Sequence, residues 1–81
     1  KVDQEPIQLS YKEFELLKVF MEHPGEVFTR QWLYERIWNG TYSEKNRTVD
    51  IHVQTLRKKL GICGSLIESV KYIGYKMKKV P

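Results

Sequence analysis

In the stretch RTVDIHVQTLRKKL, Arg47 to Leu60, the apolar residues recur with the period of an α-helix. At about 100° per residue, Val49, Val53, Leu56 and Leu60 fall within about 60° of one another and form a narrow stripe. Ile51 breaks the pattern, lying about 200° from Val49, on the polar face with Arg47, Gln54, Thr55 and Lys58. A buried stripe with an isoleucine on its far side is the first feature that needs a reason. Upstream, SYKE reads as a capping box, with Ser10 as N-cap and Glu13 reaching back, and Leu9 and Phe14 are placed for a hydrophobic staple. A helix is therefore expected from Tyr11, with Phe14, Leu16, Leu17, Phe20 and Met21 inward, ended by Pro24-Gly25.

Val27 and Phe28 read as a short apolar connector. Thr29 can cap a second helix running to Trp38, with Leu33, Ile37 and either Tyr34 or Trp38 inward, and Gly40 closing it. The loop GTYSEKN has turn composition, and Asn46 is the expected N-cap of the third helix. Asp50 in that helix's first turn and Arg57, Lys58 and Lys59 in its last suit the helix dipole. After Gly61 and Gly64 break the chain, LIESVKYIGYKMKKV is rich in β-branched and aromatic residues around Gly74, which predicts two short strands and a hairpin turn. At the other end KVDQEPIQL, Lys1 to Leu9, reads as a scrap of edge strand confined by Pro6. The predicted order is strand, helix, helix, helix, hairpin, an α+β arrangement.

Length and charge sharpen this picture. Eighty-one residues, 41% of them hydrophobic, suffice for one domain with one core, residues 1–81. No apolar run approaches the roughly 20 residues of a membrane span and no start resembles a signal peptide, so a soluble domain with no membrane partner is expected. The single cysteine, Cys63, cannot close an internal disulfide or build a CxxC metal site, which fits a reducing compartment. The net charge is +4 and unevenly spread. Residues 1–43 carry five Lys/Arg against seven Asp/Glu, net −2, whereas residues 44–81 carry nine against three, net +6. That asymmetry points to a polyanion facing the second half, unless the lysines serve only solubility.

A helix of about 14 residues fits the major groove of DNA, and its outward face offers the groups that groove is read with. Arg47 and Lys58 can meet phosphate, Thr48 and Thr55 phosphate or bases, and Gln54 can pair bidentately with adenine. Ile51 can then pack on thymine methyl groups, the apolar feature the major groove shows. The alternative is that Ile51 packs against a loop or an N-terminal segment. In the hairpin, Lys71, Tyr72, Tyr75, Lys76, Lys78 and Lys79 interleave basic and aromatic side chains, which suits phosphate or minor-groove contact. The rival reading is a solvated ribbon whose lysines protect a sheet edge.

Taken together, LSYKEFELLKVFMEHPGEVFTRQWL, RTVDIHVQTLRKKLG and ESVKYIGYKM resemble the successive signatures of the OmpR/PhoB family of response-regulator output domains, over about Leu9 to Met77. The resemblance implies a winged helix-turn-helix: a three-helix core, a C-terminal β-hairpin wing and, from the family's N-terminal sheet, only a short strand remnant, the receiver domain lying outside the chain. Arg47, Thr48, Asp50, Ile51 and His52 would begin the recognition helix, with Arg47 on phosphate, Asp50 accepting from cytosine or orienting a basic neighbour, and Ile51 at the family's methyl-contacting position. Arg57 would contact bases or phosphate. Arg30, Trp38 and Tyr75 match positions that approach the DNA backbone.

The implied partners are double-stranded DNA with direct-repeat half-sites bound by a tandem dimer, RNA polymerase through the loop 39–46, and a receiver domain and sensor kinase in a cytoplasmic two-component system. Neither cofactor nor metal is implied. Two departures stand out. Gln54 and Thr55 occupy positions where relatives often carry arginine, and KYIGY replaces an Arg-Gly-x-Gly-Tyr wing. Lys71 can still enter a minor groove, but Tyr72 stands where a glycine would, and a bulky residue avoids positive φ.

Two other classes of function compete. Catalysis is disfavoured because His23, His52 and Cys63 share no spacing that joins nucleophile, base and orienting group. A winged-helix protein-interaction module without specific DNA binding is the runner-up, since fold alone does not settle function.

Overall fold

The Ser10 capping box forms as the sequence predicts, the Ser10 hydroxyl accepting from the Glu13 N–H and the Glu13 carboxylate accepting from the Ser10 N–H. It starts helix α1, Tyr11–Glu22. In the computed structural model, which describes residues 8–79, strand β1 (Phe28–Thr29) follows, then α2 (Arg30–Trp38) and α3 (Thr48–Leu60). A 3-10 turn (Gly61–Leu66) leads into β2 (Ile67–Val70) and β3 (Gly74–Met77). The sheet is antiparallel in the order β1-β3-β2, with Phe28 opposite Tyr75 and Ser69 opposite Tyr75 on the other side. Three helices on a small sheet ending in a β-hairpin are a winged helix. The predicted strand remnant falls mostly on residues 1–7, outside the described residues, and Gln8 and Leu9 are not in a strand.

The core gathers one or more residues from every helix and strand: Leu16 and Phe20 of α1, Phe28 of β1, Leu33 and Ile37 of α2, Val49, Val53 and Leu56 of α3, Ile67 and Tyr75 of the hairpin. The predicted stripe of α3 is therefore the buried one, with Leu60 packed at its end. In α1 the inward face is narrower than expected. Phe14 and Met21 are exposed, because they lie about 100–160° around the helix from Leu16 and Phe20, which are fully buried. Glu13 takes the inward position instead, 4% exposed, and its carboxylate accepts from Lys59 Nζ at 2.8 Å. That bond ties α1 to the last turn of α3.

Several turns differ from expectation. The residue closing α2 in the left-handed region is Asn39 (φ 59°), not Gly40, an asparagine substituting for the usual glycine. At the start of α3, Arg47 holds the cap position through its carbonyl, which accepts from the Ile51 N–H, while Asn46 supplies the capping side chain, its Oδ1 accepting from the Thr48 N–H at 2.9 Å. Phe28 is a strand residue as well as a core one, since β3 offers it an edge.

The hairpin turn is Lys71–Ile73, closed by the Ile73 N–H donating to the Val70 carbonyl at 2.9 Å, and Gly74 lies beyond it in β3. A Cβ at Gly74 would overlap the Phe28 carbonyl oxygen and lie 2.9 Å from Thr29 Cα. Glycine is spent on that close approach of β1, so the positive φ that the turn needs falls to Tyr72, at 67°. A left-handed tyrosine stores about 1 kcal/mol or more of backbone strain.

Candidate nucleic-acid interface

The outward face of α3 carries Arg47, Ile51, Gln54 and Lys58 exposed, with Thr48 and Thr55 half-buried at its edges. Ile51 is 59% exposed and lies outside the hydrophobic core cluster. At the wing tip Lys71 and Tyr72 project, Tyr72 being 89% exposed, with the Lys71 ammonium 5.3 Å from the Tyr72 ring centre. These eight residues form the accessible part of the predicted site.

The other six lie in the scaffold beneath and beside it. Asp50 Oδ1 accepts from Arg30 Nε at 2.7 Å and from the Tyr75 hydroxyl, joining α3 to α2 and to the wing. Of the two roles expected for Asp50, the structure shows the orienting one. Burial is the largest influence on its carboxyl and opposes ionisation, but the Tyr75 hydroxyl and the Arg30 guanidinium together outweigh it and hold its pKa below the usual range. The same contacts push Arg30 upward, chiefly through the hydrogen bond to Asp50, and push the Tyr75 phenol upward through burial and then Asp50.

Arg57 is a second strut. Its Nε donates to the Ile67 carbonyl at 3.0 Å and its terminal nitrogen to the Ser69 hydroxyl at 3.1 Å, fixing α3 against β2. Both guanidinium groups flank the Tyr75 ring, Arg30 at 5.0 Å and Arg57 at 5.7 Å from its centre. Tyr75 is thus a wedge between two cations, 5% exposed, with its hydroxyl committed to Asp50. Trp38 and His52 pack edge-to-face at 4.9 Å, Trp38 also stacking on Tyr34, and the His52 Nδ1 lies 2.9 Å from the Thr48 carbonyl. On the hairpin, Lys76 and Lys78 pair with Glu68 at 3.9 and 3.6 Å, which favours the edge-protecting role for those two lysines.

The sequence singled out no residue of the loop between α2 and α3, which the resemblance gave as a whole to RNA polymerase, yet the structure brings part of it to the site. Tyr42, Glu44 and Lys45 share an open cleft of about 780 Å³ with Arg30, Arg47, Asp50 and Tyr72. An aromatic residue in a turn-rich loop was the available signal, and it specified no partner.

A family of known proteins fits this geometry. The family described as "Transcriptional regulatory protein, C terminal" matches residues 4–77. The chain belongs to this family. The phosphate regulon transcriptional regulatory protein PhoB of Pseudomonas aeruginosa is 36% identical over 76 residues, covering 93% of this chain and 33% of its own. The chain thus spans about a third of the length of the curated relatives it matches. Among solved structures, the Klebsiella pneumoniae RstA DNA-binding domain in complex with the RstA box superposes with a TM-score of 0.80 at 30% identity, over 91% of this chain and 76% of that one. The DNA-binding domain of CpxR from Escherichia coli reaches 0.86 at 25% identity, over 100% and 82%. The OmpR/PhoB resemblance and the winged-helix fold class are established by these matches together with the three-helix and sheet topology.

Proposed function

We propose that this domain binds double-stranded DNA at specific sites as the output domain of a two-component response regulator that controls transcription. The observation that carries the reading is Ile51, an exposed isoleucine at the centre of an otherwise polar and basic helix face whose opposite stripe packs into the core. In the major groove its methyl groups meet thymine C5-methyls, Gln54 pairs with adenine, and Thr48 and Thr55 reach bases or phosphate. Arg47 and Lys58 neutralise phosphates, and Lys71 with Tyr72 approaches the minor groove. Arg30, Asp50, Arg57 and Tyr75 hold the wing at a fixed angle to α3, so both grooves are met in one register. Trp38 and His52 brace the start of α3 from the side nearer the loop.

The wider setting follows from kinship. The site would be a direct repeat occupied by a tandem pair, in the cytoplasm, with RNA polymerase meeting the loop 39–46 and a receiver domain and its sensor kinase setting occupancy. The relatives' names and the RstA complex support the DNA part of this reading, and no observation on this chain favours a purely protein-binding module.

Two substitutions separate base reading from phosphate contact. Lys58→Ala should weaken binding by a similar factor on every duplex, whereas Ile51→Ala should reduce discrimination at a thymine by about 1 kcal/mol. Replacing that thymine by uracil, which lacks the methyl group, should weaken the unsubstituted domain and leave Ile51→Ala unchanged. Equal losses for Ile51→Ala on cognate and scrambled duplexes would refute methyl contact.

A further inference from the structure

In a DNA complex of the kind proposed above, the recognition helix and the wing lie in adjacent grooves. The sugar-phosphate strand that separates a major groove from its neighbouring minor groove must therefore pass between them. On this surface the space between the start of α3 and the wing tip is the open cleft of about 780 Å³. It is lined by the Asp50–Arg30 pair, by Arg47 and Tyr72, and by a wall of loop residues, Tyr42, Glu44 and Lys45.

The charges there favour an anion. Asp50 is already matched by Arg30 at 2.7 Å. Lys45 and Arg47 form no salt bridge among the described residues, which leaves two cations facing the single carboxylate of Glu44. Tyr42 and Tyr72 add two phenols, each able to donate to a phosphate oxygen.

The wall is also held in place before any ligand arrives. The Asn46 N–H donates to the Ser43 carbonyl at 2.9 Å, closing a turn that carries Glu44 and Lys45 at its tip. The Tyr42 ring centre sits 6.1 Å from that of Tyr34, and Gly40 lies so close to Tyr34 that a Cβ would come within 3.0 Å of its ring. At the other end the Asn46 side chain is bonded to the first turn of α3. A loop fixed at both ends loses little entropy on binding.

We propose that this cleft seats one backbone phosphodiester of the strand crossing between the two grooves, with Lys45 and Arg47 as its counter-charges and Tyr42 and Tyr72 as its walls. The loop is then a DNA-contacting element, and Glu44 works against binding. The proposal rests on the DNA-binding reading, and the experiment keeps the two apart.

Duplexes enriched by this domain from a random pool serve as the probe, and Kd is measured across salt concentrations for the 81-residue chain and for Lys45→Gln, Glu44→Gln and Lys58→Gln. Lys45→Gln should flatten the slope of log K against log salt, and the Lys45→Gln, Arg47→Gln double variant should flatten it by about 0.9, so that between about 50 and 200 mM salt the double variant loses about 3.5-fold less affinity than the unsubstituted chain. Glu44→Gln should bind more tightly. Replacing single phosphates by neutral methylphosphonates should find one position that weakens the unsubstituted chain but not a Lys45→Gln, Arg47→Gln double variant. If Lys45→Gln and Glu44→Gln both match the unsubstituted chain while Lys58→Gln loses affinity and slope, the cleft is not a phosphate site and the DNA-binding reading stands. Absence of salt-sensitive binding by the unsubstituted chain overturns both.

Discussion

Gly74→Ala is expected to destabilise the domain by about 3 kcal/mol or more, the upper end of what overpacking a well-filled site does. The added methyl would overlap the Phe28 carbonyl oxygen and crowd Thr29 Cα, and both obstacles are backbone, so no side chain can rotate away. Relief requires β1 to separate from β3. That separation would withdraw Phe28 from the core and loosen Thr29, whose hydroxyl caps α2 by accepting from the Trp32 N–H at 3.0 Å. For a domain of this size the loss is a large share of the total stability. Urea unfolding followed by circular dichroism measures it, and an unchanged midpoint would mean that β1 does not lie against β3 as described.

Asp50→Ala is the second large effect, about 2–3 kcal/mol, somewhat below the range for fully buried pairs. Asp50 and Arg30 side chains are 18% and 29% exposed, so water can partly solvate what remains. The alanine leaves the Arg30 guanidinium and the Tyr75 hydroxyl without their shared acceptor, in a place where each has lost much of its hydration. The pH dependence should change with it. A carboxylate whose pKa is lower folded than unfolded adds stability that is fully present above its unfolded value, about 4, and is lost as the pH falls through the folded value. Asp50 and Glu13 both behave this way, Glu13 because the Lys59 and Ser10 hydrogen bonds outweigh its burial. Acid should therefore weaken the unsubstituted domain below about pH 4, and Asp50→Ala less steeply, with the Glu13 share intact. An acid limb of identical steepness in the variant would contradict the role given to Asp50.

These two positions also mark what the sequence could and could not reveal. Capping by Ser10 and Thr29, the buried stripe of α3 and the existence of the hairpin were legible because each depends on residues within a few positions of one another. The family motifs added the winged-helix topology. What escaped depends on distant partners. Strand β1 is two residues long and exists because β3, more than forty residues later, offers it an edge. Gly74 reads locally as a turn glycine, and only the approach of Phe28 shows that it is a packing glycine that leaves Tyr72 to take the positive φ.

Glu13 was legible as half of a capping box, but its burial depends on Lys59 at the far end of another helix. In the site, the outward residues of α3 followed from periodicity. The struts did not, because Asp50, Arg30, Arg57 and Tyr75 come from three elements that only folding brings together. Tyr42 and Lys45 escaped for the same reason, their importance lying in the wing tip across the cleft.

We propose that the surface formed by α3 and the wing reads duplex DNA. The most direct test is Kd for a selected duplex and a scrambled one, measured across salt concentrations on the same preparation. In the proposed complex Lys58, Lys71 and the cleft, the last through Lys45 and Arg47, would neutralise about three phosphates, so the expected slope of log K against log salt is about −3 on both duplexes, with the selected one bound more tightly at every salt. A slope near zero, or equal affinity for the two duplexes throughout, would contradict it.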